Sequence, residues 1–216
     1  EVNRRLASFS GRDRSFTAPV EVNALLQEVV EKMTPVAQKH SMALEVSPMS
    51  RRIYLMGVRF QLMEAIENVL LNAIESYDGA PGRITIQAVL KRRRVSSPDA
   101  LQSVEMYQAV QITIADSGRG MAGEVVAQAF EPFFTTKQSS ESLGLGLPVA
   151  LGIVQAHGGE IRLASKRGKG TTVKMFLPAY TMPAVGGAAG VEKRRKSPPR
   201  MKPASVLVVD DEPDIL

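Results

Sequence analysis

The stretch SLGLGLPVALGIVQAHGGE, Ser142 to Glu160, sets two glycines one residue apart at the mouth of an apolar run. Glycine inside a helix costs about 1 kcal/mol relative to alanine, so two of them at a helix entrance call for a reason. Pro148 fits a first helical turn, and Gly158-Gly159 after His157 is a stop signal. The pattern predicts a helix over Leu147 to His157 with bare main chain at its N-terminus. Free N–H groups and the positive end of the helix dipole hold anions there, and missing side chains let the anion come close.

Downstream, Glu160 to Ser165 and Thr171 to Leu177 read as strands that pair as a hairpin across Lys166 to Gly170. Upstream, Glu131 to Leu143 is irregular and Gly123 to Phe130 reads as a short helix. Tyr107 to Ala115 and Ile84 to Leu90 are strands joined by a charged loop. Arg59 to Tyr77 is the strongest helix, with Leu62, Ile66, Val69, Leu70, Ala73 and Ile74 on one face. Asn23 to Lys39 is helical by the same spacing, and Met42 to Val46 and Ile53 to Met56 read as short strands around a turn. This order predicts an α/β fold: a two-layer sandwich with helices on one face of a sheet and hairpins at both ends. The domain is expected to span 17–180, between a helix tail and loop at 1–16 and a basic Pro/Gly/Ala linker at 181–204.

Composition removes several function classes. The 216 residues include no cysteine and two histidines, His40 and His157, which excludes disulfide frameworks and histidine-rich metal sites. No apolar run reaches the roughly 20 residues of a membrane helix and no signal peptide opens the chain, so a cytoplasmic location is expected. The net charge of +5 gathers in Lys91 to Arg94 and Lys193 to Lys196, both in stretches of loop composition. They are expected to be solvated clusters rather than a nucleic-acid surface. The chain opens on Glu1 and stops just after a strand-like run, Val206 to Val209, so it reads as a fragment.

Chemistry gathers in the same region. In ENVLLNAIES, Glu67 to Ser76, the residues Glu64, Asn68 and Asn72 recur at four-residue spacing on one helical stripe, with Glu75 beside it. Amide oxygens suit Mg²⁺, a hard cation that shares its ligands with phosphates; a polar face meeting solvent has the same composition. In ADSGRGM, Ala115 to Met121, Asp116 closes a strand, and Gly118 and Gly120 permit a tight turn. A carboxylate so placed accepts from an exocyclic amine such as the 6-amino group of adenine, although Asp-Gly turns are common. FEPFFTTK, Phe130 to Lys137, clusters three phenylalanines before Lys137, whose ammonium suits a phosphate.

Taken in order, these boxes resemble the ATP-binding catalytic domain of histidine protein kinases, within the gyrase/Hsp90/MutL-like ATPase superfamily. ENVLLNAIE resembles the N box, DSGRGM the G1 box, FEPFFTTK the F box, LGLGLPVALGIVQAHGGEI the G2 box and its helix, and GKGTTVKMFLP the last glycine box and strand. The resemblance implies a Bergerat-type ATPase fold, a mixed, mostly antiparallel sheet covered by helices on one face, with a mobile ATP lid between Met121 and Leu143. It implies that Asn72 ligates Mg²⁺ on the ATP phosphates with Asn68 alongside, and that Asp116 bonds the adenine amine. Gly118 and Gly120 would shape the base pocket, and Thr171 would support it. Lys137 would lie near the terminal phosphate, with Leu143, Gly144, Leu145, Gly146 and Leu147 bringing main-chain amides to the phosphates. The implied activity is transfer of the γ-phosphate to a histidine on a dimerisation helix, in a homodimer of the full-length protein.

Some positions depart from that pattern. Ser142 stands where many members carry glycine. Asn68 stands where the gyrase and Hsp90 branches place a hydrolytic glutamate, and without that base water activation is poor. A conformational ATPase of the gyrase/Hsp90 type and a nucleotide-sensing scaffold without catalysis are the alternatives. Neither His40 nor His157 is expected to be the phosphoacceptor; RRLASFSG, Arg4 to Gly11, resembles the tail of a dimerisation helix, which puts the acceptor upstream of Glu1. SVLVVDDEPDIL, Ser205 to Leu216, resembles the opening of a response-regulator receiver domain, with Asp210 and Asp211 as Mg²⁺ ligands. The parent is expected to be a hybrid histidine kinase passing phosphate to a receiver aspartate beyond Leu216.

Overall fold

The computed structural model describes residues 17–77, 79–94, 106–136 and 143–180. Along the chain come β1 (Ala18–Glu21), α1 (Val22–Lys39), β2 (Met42–Ser47), β3 (Tyr54–Gly57), α2 (Arg59–Glu75), β4 (Gly82–Arg94), β5 (Met106–Asp116), α3 (Gly123–Gln128), α4 (Gly146–Ala156), β6 (Glu160–Lys166) and β7 (Gly170–Tyr180). The sheet runs β1-β3-β7-β5-β4-β2, with β6 added on β7. Only β2 with β4 is parallel among the described strands. Strands β6 and β3 share one side of β7, with Gly170 to Phe176 pairing β6 and Ala179 and Tyr180 pairing β3.

Alternation sorts the two faces. Val110, Ile112 and Ile114 of β5 are buried, whereas Gln111 and Thr113 between them are not. The buried set meets Val69, Leu70, Ala73 and Ile74 of α2 and Ala150, Ile153 and Val154 of α4 in one continuous core. The expected two-layer sandwich with a mostly antiparallel sheet is what forms. Helix α2 packs on both α1 and α4, so the asparagine stripe and the glycine-led helix become neighbours. Helix α1 is held at its start by the Glu21 carboxylate, which accepts from Asn23 N at 3.1 Å and Ala24 N at 2.7 Å.

Two sequence expectations are corrected here. The strands β2 and β3 do not form a hairpin: β2 pairs with β4 at one edge, and β3 pairs with β1 and β7. The link between them, residues 48–53, reaches at most about 20 Å, enough for the four spacings of about 4.8 Å that separate them. The Asn23 side chain pins that link, exchanging two hydrogen bonds with the Met49 main chain at 3.1 and 2.8 Å. Lys91 to Arg94 are not loop either; they extend β4, paired in register with Met106 to Ala109. Arg93 lies 4.1 Å over the Phe176 ring and pairs with Glu160, so its own charge is taken up on the sheet. Strand β1 was not expected at all.

Candidate functional site

Between α2, α4 and the sheet lies a small cleft that is partly open to solvent. Helix α2 lines it with Val69, Asn72 and Ala73, the sheet with Ile114, Asp116, Leu163, Thr171 and Val173, and Met121 and Leu147 complete it. Seven of these ten side chains are apolar, and the polar exceptions are Asn72, Asp116 and Thr171. A flat aromatic group with a few polar atoms at its edge fits that lining.

Asp116 ends β5 inside this cleft, and one of its oxygens organises three elements. Oδ1 accepts from Ser76 Oγ at 3.1 Å, from Gly118 N at 2.9 Å and from Thr171 N at 3.2 Å. Burial pushes the carboxyl above its ordinary 3.8, against these three hydrogen bonds, which lower it. Ser76, Gly118 and Thr171 belong to the end of α2, the turn after β5 and the start of β7, so the carboxylate is set by the fold rather than by its own loop.

The turn after Asp116 is fastened on both sides. Arg119 N donates to Ser76 O at 3.0 Å, Gly168 N to Arg119 O at 2.7 Å, and Ser117 N to Tyr77 Oη at 2.8 Å. Gly118 lies so close to Ser76 that a Cβ would stand 1.9 Å from its Oγ. Gly120 adopts φ +62°, and a Cβ there would fall 2.0 Å from Lys166 O. Met121 N donates to Ser165 Oγ at 2.9 Å. Ser76, Tyr77 and Ser165 were missed by sequence reasoning; single Ser and Tyr residues in turns and strands carry no spacing signal.

The other end of the cleft is built differently. Asn68 Nδ2 donates to Glu64 O at 3.0 Å and Asn72 Nδ2 to Asn68 O at 3.1 Å, so each amide nitrogen folds back on its helix. Gly146 opens α4 against them: a Cβ there would lie 3.2 Å from Asn72 Nδ2 and 3.4 Å from Asn68 Oδ1. No side chain caps the start of α4, and Leu145 is its N-cap, so the first N–H groups of the helix stand beside the asparagines. Gly144, at φ +64°, accepts from Phe133 N at 3.1 Å and packs on Phe134, tying Leu143 to Leu147 to the phenylalanine box. An oxygen-seeking divalent cation fits this donor set, with one asparagine oxygen from the chain and the rest from ligand and water.

Of the expected site residues, Asn72, Asp116, Leu147 and Thr171 line the cleft, Asn68 and Gly146 lie against Asn72, and Gly118 packs on Ser76 beside Asp116. Lys137, Asp210 and Asp211 lie outside the described residues. Glu67 is not at the cleft; Lys32 of α1 holds its carboxylate at 2.7 and 2.8 Å. His157 caps α4 with its ring on Gly57: Nε2 accepts from Val58 N at 3.0 Å and Nδ1 faces Ile153 O at 2.8 Å. Both ring nitrogens are occupied by main-chain groups, which gives the ring a structural part.

Comparison with known proteins gives concordant findings. The family described as histidine kinase-, DNA gyrase B-, and HSP90-like ATPase matches residues 57–181. The sensor kinase CckA of Brucella abortus is 36% identical over 157 residues, 68% of this chain and 16% of that protein. The sensor histidine kinase ZraS of Escherichia coli is 31% identical over 159 residues, 74% of this chain and 30% of that protein. The chain therefore spans between 16% and 30% of the length of these relatives. Among solved structures, the mycobacterial sensor histidine kinase MprB superposes with a TM-score of 0.59 at 22% identity, covering 77% of this chain and all of that one. Full-length ShkA in complex with AMPPNP gives 0.63 at 24% identity, covering 85% of this chain and 35% of that one. At that identity the two structures show a shared fold.

Proposed function

The chain belongs to the histidine kinase-, DNA gyrase B-, and HSP90-like ATPase family, and from that premise we propose that it binds Mg-ATP and presents the γ-phosphate to a histidine imidazole on a separate dimerisation domain. The observation that carries the reading is one cleft lined by Asn72 of α2, Asp116 of β5 and Leu147 of the glycine-led helix. The adenine lies in the apolar part, its amine donating to Asp116. The triphosphate runs past Asn72 to the main chain of Gly144 to Leu147. The imidazole nitrogen attacks the γ-phosphorus, the bond to the β,γ-bridging oxygen breaks, and ADP leaves.

Asn72 would hold the magnesium ion, which would supply charge neutralisation to the phosphates. The chain's own work is to position and orient, which suffices for phosphoryl transfer. Residues that resemble a receiver opening extend the reading to a phosphorelay, in which Asp210 and Asp211 would hold a second magnesium and a receiver aspartate would take the phosphate. Glu67 is engaged by Lys32 and position 68 is asparagine, so neither offers a hydrolytic base, which favours transfer over clamping.

The test is incubation of the chain with γ-labelled ATP, magnesium and a dimerisation domain bearing a histidine. Acid-labile label on that domain is expected. Hydrolysis by the chain alone that Glu67→Gln abolishes, with no transfer to any such domain, would replace the kinase reading by the clamping ATPase.

A further inference from the structure

We propose that Ser165 is a positioning residue that sets which nucleobase the cleft accepts, acting through the hydroxyl of Thr171. The proposal rests on the reading of the cleft as a nucleotide site and deepens it.

Ser165 Oγ stands among three polar groups. Met121 N donates to it at 2.9 Å, Gly170 O lies at 3.0 Å and Thr171 Oγ1 at 2.9 Å. A hydroxyl has one hydrogen and two lone pairs. The carbonyl of Gly170 can only accept, so it takes the hydrogen, while Met121 N–H uses one lone pair. The lone pair that remains faces Thr171, whose hydroxyl must then donate. All three contacts are hydrogen bonds in that arrangement alone.

The consequence reaches the cleft. Thr171 is buried at 7% exposure and lines it. With its single hydrogen committed to Ser165, its oxygen turns to a ligand as an acceptor. The Asp116 carboxylate beside it is an acceptor as well, its Oδ1 already holding three donors. This end of the cleft therefore meets a base with acceptors only. A purine bearing an exocyclic amine matches it, whereas a carbonyl oxygen at the same place sets acceptor against acceptor. Removing the Ser165 hydroxyl releases the Thr171 hydrogen to turn inward and donate to such a carbonyl.

Calorimetric titration with ATP and with inosine triphosphate, its 6-oxo counterpart, tests this. The wild-type chain is expected to prefer ATP by roughly 100-fold. In Ser165→Ala that preference falls about tenfold, mainly through tighter binding of inosine triphosphate, and Ser165→Thr restores it. Ser165→Cys, which keeps the volume and a weak donor, shifts the ratio the same way to a lesser extent. Circular dichroism establishes that each variant is folded; should the alanine variant fail, the cysteine variant decides. An unchanged ratio, or an equal loss of both affinities, overturns the proposal while leaving ATP binding standing. No binding of either nucleotide by the wild-type chain overturns the nucleotide reading and this proposal with it.

Discussion

The two ends of the cleft are held by opposite means. Around Asp116 and Thr171, hydrogen bonds from the end of α2, the turn after β5 and the β6-β7 hairpin converge on a few side-chain oxygens. Around Gly144 to Leu147 the main chain starts a helix without a side-chain cap, and close approach to Asn68 and Asn72 is what shapes it. The first end is finished before any ligand arrives; the second leaves N–H groups for the ligand to complete. Affinity is then expected to be anchored at the base, and chemistry to be decided at the phosphates.

Substitutions can break or sharpen that contrast. The largest effect is expected at the phosphate end: Asn72→Ala should lower phosphotransfer to a histidine-bearing domain by about three orders of magnitude, while adenosine still binds. Equal losses for adenosine and transfer would erase the distinction between the ends.

Next comes Asp116→Asn, which should weaken adenosine, ADP and ATP alike by roughly 100-fold, as read by calorimetry. Because burial raises the Asp116 carboxyl above 3.8 in the folded chain, its favourable share of stability is present below that value and is lost as pH rises through the folded value. The melting temperature of wild type relative to Asp116→Asn should therefore decline from pH 3 to pH 7. A difference that is flat with pH would mean the carboxylate carries no burial penalty.

The smallest is Gly146→Ala, whose methyl would press on Asn72 Nδ2 at 3.2 Å. ATP should bind about tenfold more weakly with adenosine unaffected, as read by calorimetry.

Helices and the hairpin were legible because periodicity reports which side of an element meets the core. Leu62, Ile66, Val69, Leu70, Ala73 and Ile74 were read as one face and all are buried. Pairing partners were not legible. Nothing local in Met42 to Ser47 states that β4 lies beside it, and the basic run Lys91 to Arg94 joins a strand because β5 offers partners. Asn72 and Asp116 stood out by spacing and line one cleft, while Asn68 and Gly146 lie against Asn72 and Gly118 against Ser76. Ser76 and Ser165 did not stand out, since their importance lies in oxygens that chain contacts bring within reach only after folding.

Strand β7 carries Thr171 near one end and Tyr180 at the other, with only two register pairs to β3 at the far end. Tension applied to the polypeptide past Tyr180 would load this strand lengthwise, against the β5 ladder that runs from Ala109 to Asp116. Loaded in shear, such a ladder yields as a unit rather than pair by pair. A mechanical tug past Tyr180 would thus be transmitted with little slack to Thr171 in the cleft wall.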